Sequence, residues 1–193
     1  MKMKILDLRP TQMALGLNEV EYRVKKLRDM KAGERDTYLH DRRVPIVIGD
    51  RSRIYIVDHH HLVRSCWEVG LEEVPVEQKA DLSHLSRKEF WIAMHASHWI
   101  YPFDQFGSGP HDPELLPENI KGLADDPFRS LAWIVRENGG YQKTGIPFSE
   151  FQWAHFFRKN MKIHPVAESF TEAVKEAMKL ARSQLASHLP GHL

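Results

Sequence analysis

Asp58-His59-His60-His61 stands between a β-rich run, Ile54-Tyr55-Ile56-Val57, and a segment in which Leu62, Val63, Cys66, Trp67 and Val69 fall at helical spacing. A strand that turns into a helix leaves the first N–H groups of that helix without intrahelical partners, at the positive end of the dipole. Such a turn is an anion site before any side chain is added. His59, His60 and His61 add imidazoles that can donate hydrogen bonds to phosphate oxygens, and Arg64 lies one turn further along. Asp58 can orient an imidazole, hold a metal or act as a base. A purely structural reading also fits these residues: Asp58 caps the helix and the imidazoles form a polar rim.

Zinc binding by all three histidines is disfavoured, because adjacent helical residues project about 100° apart and do not converge on one ion. His95 and His98 share a helical face, but beside Trp91 and Trp99 they read as polar tips of an amphipathic surface. A second candidate is Asp125-Asp126-Pro127-Phe128-Arg129-Ser130. Its paired carboxylates, Asp126 in particular, can hold Mg²⁺, and Arg129 projects from the same helix start toward a phosphate. The competing reading is that Asp126 before Pro127 is an N-cap. Gly139-Gly140 reads as a helix stop whose backbone a ligand can approach.

The elements that must position these groups follow from pattern. Residues 5 to 8 read as a short strand closed by Arg9-Pro10, and Asn18 to Met30 as a helix with Asn18 as N-cap. Val44–Gly49 and Ile54–Val57 read as a hairpin, Val74–Glu77 as a strand, and Arg87 to Ile100 as a helix. Tyr101 to Pro117, rich in Pro and Gly, reads as a long ordered loop or a boundary. Helices are expected over 129–137, 147–159 and 169–188. The expectation is an α/β (α+β) fold: residues 1–100 forming a domain with a small mixed sheet, and 101–193 a mostly helical region, which can pack with the first as one unit.

Twenty-seven Lys and Arg against 26 Asp and Glu give a net charge of +1, which argues against a general nucleic-acid coat protein and leaves room for a local basic patch. One cysteine, Cys66, excludes an intramolecular disulfide framework and any cysteine-based zinc cluster. No run approaches the roughly 20 apolar residues of a membrane helix, and the N-terminus lacks a signal peptide's apolar stretch, so the chain reads as cytoplasmic and free of the membrane.

The order Ile-Tyr-Ile-Val-Asp-His-His-His-Leu-Val-Arg-Ser-Cys-Trp-Glu-Val-Gly resembles the phosphate-binding strand and helix of the ParB/sulfiredoxin superfamily. From Leu8 to about Arg158 the chain resembles the ParB-like nuclease family, through Pro10-Thr11-Gln12, Asp58 to His61, Asp126 to Trp133 and Gly139-Gly140-Tyr141. The resemblance implies a bacterial protein with a ParB/sulfiredoxin-like phosphate-binding domain, a nucleotide or nucleic acid as partner, and phosphoester chemistry at Asp58, His60 and His61. Mg²⁺ and a nucleotide are the cofactors it suggests. Against the Asp-Gly-His-His-Arg turn of ParB-like free-serine kinases, Asp58, His60 and His61 match. His59 replaces the glycine and Leu62 the arginine, so Arg64 or Arg129 would have to supply the guanidinium. Those kinases carry a base glutamate where this chain has Gln12. Sulfiredoxin's catalytic cysteine has no counterpart in the turn, and no clear helix-turn-helix supports centromere binding. Besides nuclease chemistry, two alternatives remain open: a nucleotide-dependent, serine-type small-molecule kinase, and a non-catalytic nucleotide-binding interaction module.

Overall fold

The computed structural model describes all 193 residues, with seven α-helices and a five-stranded mixed sheet, a mixed α/β architecture. The chain forms two compact units: Met1–Leu15 with Val20–Ala124, and Gly16–Glu19 with Asp125–Leu193. The boundary expected near residue 100 falls inside the first unit. The reason is local: Tyr101 N–H donates to Thr11 O at 2.9 Å, and a parallel bridge joins Gln12 to Tyr101, so the chain beyond the fourth helix stays with the sheet.

In the first unit the strands are β1 (Lys2–Lys4), β2 (Leu8–Pro10), β4 (Val44–Ile48), β5 (Ile54–Ile56) and β6 (Glu73–Asp81). Two-residue strands β3 (Ala14–Leu15) and β7 (Ala124–Asp125) lie where the chain passes from one unit to the other. The sheet order is β1-β6-β4-β5-β2. The expected hairpin is present: β4 and β5 are antiparallel, with Ile46 opposite Ile56 and Val47 opposite Tyr55. β2 runs parallel to β5, Arg9 beside Tyr55 and Pro10 beside Ile56. Parallel pairing brings the C-terminal ends of both strands to one edge, so Thr11 and the Asp58 turn emerge together.

Residues 5 to 7 form a 3₁₀ turn rather than a strand, and the strand begins only at Leu8. Helix α1 (Leu17–Asp29) matches its periodicity, whereas α2 (Ala32–His40) has only Leu39 buried and so shows no apolar stripe in the sequence. Helix α3 (His60–Glu68) buries Leu62, Val63 and Cys66. Helix α4 (Arg87–Ala96) sets Phe90 and Met94 against Val47, Tyr55 and Ile100.

The second unit is three helices: α5 (Pro127–Glu137), α6 (Ser149–Asn160) and α7 (Phe170–Ala181). Ala173, Ala177 and Ala181, four apart, present one small-residue face to a core of Leu131, Val135, Tyr141, Trp153 and Phe157. The Tyr141 and Trp153 rings stack at 4.2 Å. The last helix stops at Ala181, short of the expected His188. Ser183 Oγ donates to Leu180 O at 2.7 Å, one of the carbonyls that end the helix, and a 3₁₀ turn over Gln184–Ala186 follows.

The first turn of α1 groups with this second unit for a capping reason. Helix α1 starts after Gly16, which has no side chain to cap with, so Asp125 Oδ1 accepts Leu17 N–H at 2.9 Å and Ser130 Oγ accepts Asn18 N–H at 3.1 Å. Asn18 is inside the helix, not its cap. The approach is close: a Cβ on Gly16 would sit 2.5 Å from Ser130 N, a backbone atom. Gly16→Ala is therefore expected to destabilise the protein by about 1–3 kcal/mol, the cost of overpacking. Thermal denaturation checks it, and an unchanged midpoint would show that the contact relaxes freely.

Candidate functional site

The turn between β5 and α3 is built around a backbone conformation. His59 has φ 65°, ψ 22°, the left-handed region. Glycine reaches that region without cost; a residue with a Cβ pays about 1–2 kcal/mol. Where the Asp-Gly-His-His-Arg pattern has glycine, this chain adopts the left-handed conformation with a histidine. Asp58 helps hold the bend, its Oδ1 accepting the His59 N–H at 2.6 Å while the side chain stays exposed. His59 Nδ1 is buried without a hydrogen-bond partner.

His60 is fixed from the neighbouring strand. Thr11 N–H donates to His60 Nε2 at 3.1 Å, and Thr11 Oγ1 donates to Ile56 O at 2.7 Å. A backbone amide only donates, so Nε2 must carry a lone pair and the ring is neutral with its proton on Nδ1. His60 is buried, and this bond ties β2, β5 and α3 into one corner. The main-chain N–H groups of His60, His61 and Leu62 lie in the first turn, ahead of the first intrahelical bond, Val63 N–H to His59 O at 2.9 Å. His61 is half-buried in that same turn, and its carbonyl accepts Ser65 Oγ at 2.7 Å.

The structure therefore brings Asp58, His59, His60 and His61 together at one helix start. Arg64 belongs to α3 but is turned along it: Nε donates to Glu68 at 2.8 Å, Nη1 to Ile120 O at 3.3 Å, and the guanidinium lies 5.2 Å over Trp67. Asp126 and Arg129 belong to the second unit. Asp126 is a buried N-cap; Oδ1 accepts Phe128 N–H at 2.9 Å and Oδ2 accepts from Arg158 at 2.6 Å. Burial pushes its carboxyl above the usual range against the pull of Arg158. Arg129 lies 3.9 Å over the Phe151 ring and 3.4 Å from Glu150. A Mg²⁺ at Asp126 would face the Arg158 guanidinium, and no group of three or more His, Cys, Asp or Glu side chains in the chain is arranged to hold a metal. The donor set does not fit a resident ion.

The other sequence candidates have local roles. Gly139 ends α5 at φ 72°. His95 and His98 are exposed. Asp104 pins its loop by accepting the N–H groups of Phe106 and Ser108, both at 2.9 Å, and by pairing with His111 at 3.2 Å. Cys66 is fully buried, and burial pushes its thiol up to about 12, which leaves almost no thiolate at neutral pH. Sequence reasoning matched Pro10-Thr11-Gln12 as a motif but missed the part Thr11 plays at this turn. Only the parallel register of β2 on β5 reveals it.

A family described as "Putative ParB-like nuclease" matches residues 1–159. The crystal structure of protein Atu1540 from Agrobacterium tumefaciens is similar over 100% of this chain and 95% of its own, at 44% identity and a TM-score of 0.92. No curated protein matches the sequence. No helix is long and apolar enough to cross a membrane.

His59 and His60 should separate by stability. His60→Ala leaves the Thr11 N–H buried and unbonded, at an expected cost of about 1–3 kcal/mol. His59→Gly relieves the left-handed strain and is expected to be neutral or stabilising by up to about 1 kcal/mol. Chemical denaturation of both variants checks the pair, and a His60→Ala protein as stable as the wild type would remove the anchoring role.

Proposed function

Because the chain belongs to the ParB-like nuclease family, we propose that it is a nucleic-acid-directed protein that grips a phosphate at the start of α3 and cleaves a phosphoester there. The observation that carries this reading is the corner itself. A strained left-handed residue and a cross-strand hydrogen bond to His60 fix the first turn of α3 beside an exposed carboxylate and the half-buried His61.

In this reading the roles divide. His60 is a positioning residue, because its Nε2 is taken by Thr11. His61 and the first-turn amides stabilise charge growing on the phosphate oxygens. Asp58 Oδ1 is held by the His59 N–H, and Oδ2 receives a proton from the attacking water. The water oxygen bonds to phosphorus, the bond to the leaving oxygen breaks, and that oxygen takes a proton from a His61 ring N–H. The side chain at position 12 is an amide, so serine phosphorylation through a base there finds no acceptor of protons.

A ligand at about 100 times its Kd stabilises the folded state by about 2.7 kcal/mol, or roughly 5–10 °C for a chain of this size. Inorganic phosphate or a short single-stranded oligonucleotide at such concentrations should raise the wild-type midpoint by that order, and His61→Ala should lose most of the rise. Equal shifts in both proteins would move the site elsewhere. A shift by nucleoside triphosphates and not by oligonucleotides would favour the nucleotide-binding alternatives.

A further inference from the structure

Within the first unit lies a cavity of about 190 Å³ that the phosphate reading leaves unused. Its wall includes Tyr55 and Trp91, whose rings meet edge to face at 5.4 Å. Arg87 closes one side, clamped by both carboxylate oxygens of Glu114 and by Asp50 at 3.0 Å, so its charge is neutralised in place. Arg53 lines the cavity as well and reaches Asp50 only at 3.9 Å. Arg9 lines the cavity and pairs with no carboxylate. The cavity thus offers one guanidinium that no carboxylate pairs, a second held 3.9 Å from Asp50, and a small aromatic strip in a mostly polar wall.

Its placement links it to the turn. Pro10 lines the cavity, and the next residue, Thr11, holds His60. At about 3.3 Å per strand residue, Arg9 and Thr11 are only about 7 Å apart along β2. The cavity and the corner that His60 anchors thus meet on one strand. Arginine beside an aromatic wall is the chemistry that holds single-stranded nucleic acid, phosphate on the cation and base on the ring. Glu118 lines the same cavity. Its carboxylate disfavours a dianionic terminal phosphate more than the single charge of a phosphodiester.

We propose that this cavity is a second subsite that takes the neighbouring phosphodiester of a single nucleic-acid strand on Arg9 and Arg53, with a base against Trp91. The proposal rests on the reading of α3 as the first phosphate site and names its substrate class: an internal stretch of single strand rather than a free nucleotide. Arg9 and Arg53 act on binding and register, not on the reacting atoms.

The test is fluorescence anisotropy of a labelled single-stranded oligonucleotide of about eight nucleotides, titrated with the full chain at several salt concentrations. Arg9→Gln should weaken binding about tenfold and reduce the magnitude of the log–log salt slope by about 0.7, the value of one lost phosphate contact to a single strand. Arg9→Lys should restore the slope, since the charge returns. Glu118→Gln should improve competition by a nucleoside monophosphate. Circular dichroism confirms that each variant is folded. An Arg9→Gln protein with wild-type affinity and slope overturns the subsite, as does an oligonucleotide that the wild type fails to bind or that a nucleoside triphosphate displaces at equal concentration. His61→Ala separates the two readings. Binding lost there and unchanged in Arg9→Gln leaves the α3 site standing alone, and the reverse leaves the cavity standing without it.

Discussion

The hydrogen bond from Thr11 N–H to His60 Nε2 is the constraint on which the site depends. It spans 49 residues of sequence and sits where two parallel strands end beside a helix start. A buried amide must find an acceptor, and the acceptor supplied is an imidazole rather than a carbonyl. That choice holds the His60 ring neutral, fixes its tautomer and sets the direction in which α3 begins. The left-handed bend at His59 has the same consequence from the other side, since it turns the chain from β5 into α3 within the three residues Val57 to His59. The corner is over-determined by a long-range hydrogen bond and a strained bend together, and such surroundings are what let strained backbone persist in a folded protein.

The two units solve their packing differently. The sheet of the first unit fills its interior with β-branched residues and a cluster of Tyr55, Phe90 and Met94 against one face. The second unit has no sheet and packs three helices by trading side-chain size: alanines of α7 at four-residue spacing admit the bulk of Trp153, Phe157 and Tyr141. The charged residues that open α5 are held within the second unit. Asp126 is held by Arg158, and Glu150 by Arg129 and Arg136, so the residues there that look catalytic in sequence are occupied in holding helices together.

What the sequence made legible was periodic or local. The apolar spacing of α1 and α3, the β4–β5 hairpin, and the Asp126-Pro127 start of α5 each depend on neighbours within a turn or two. The cluster at Asp58 to His61 was legible for the same reason, because a strand pattern changes to a helix pattern at that point. What depends on distant partners was not. Nothing near Thr11 announces that its amide bonds His60, nothing near Leu17 announces a cap from Asp125, and the direction of the Arg64 guanidinium is set by Glu68 and the Ile120 carbonyl. Helix α2 escaped because a helix that buries one residue carries no stripe.

The central claim is that the first turn of α3 receives a phosphate. Amide chemical shifts read it most directly, in a titration of the ¹⁵N-labelled protein with inorganic phosphate. The account predicts that the largest saturable changes fall on the N–H resonances of His60, His61 and Leu62. Saturable changes confined to other amides, with these three unmoved, would contradict it.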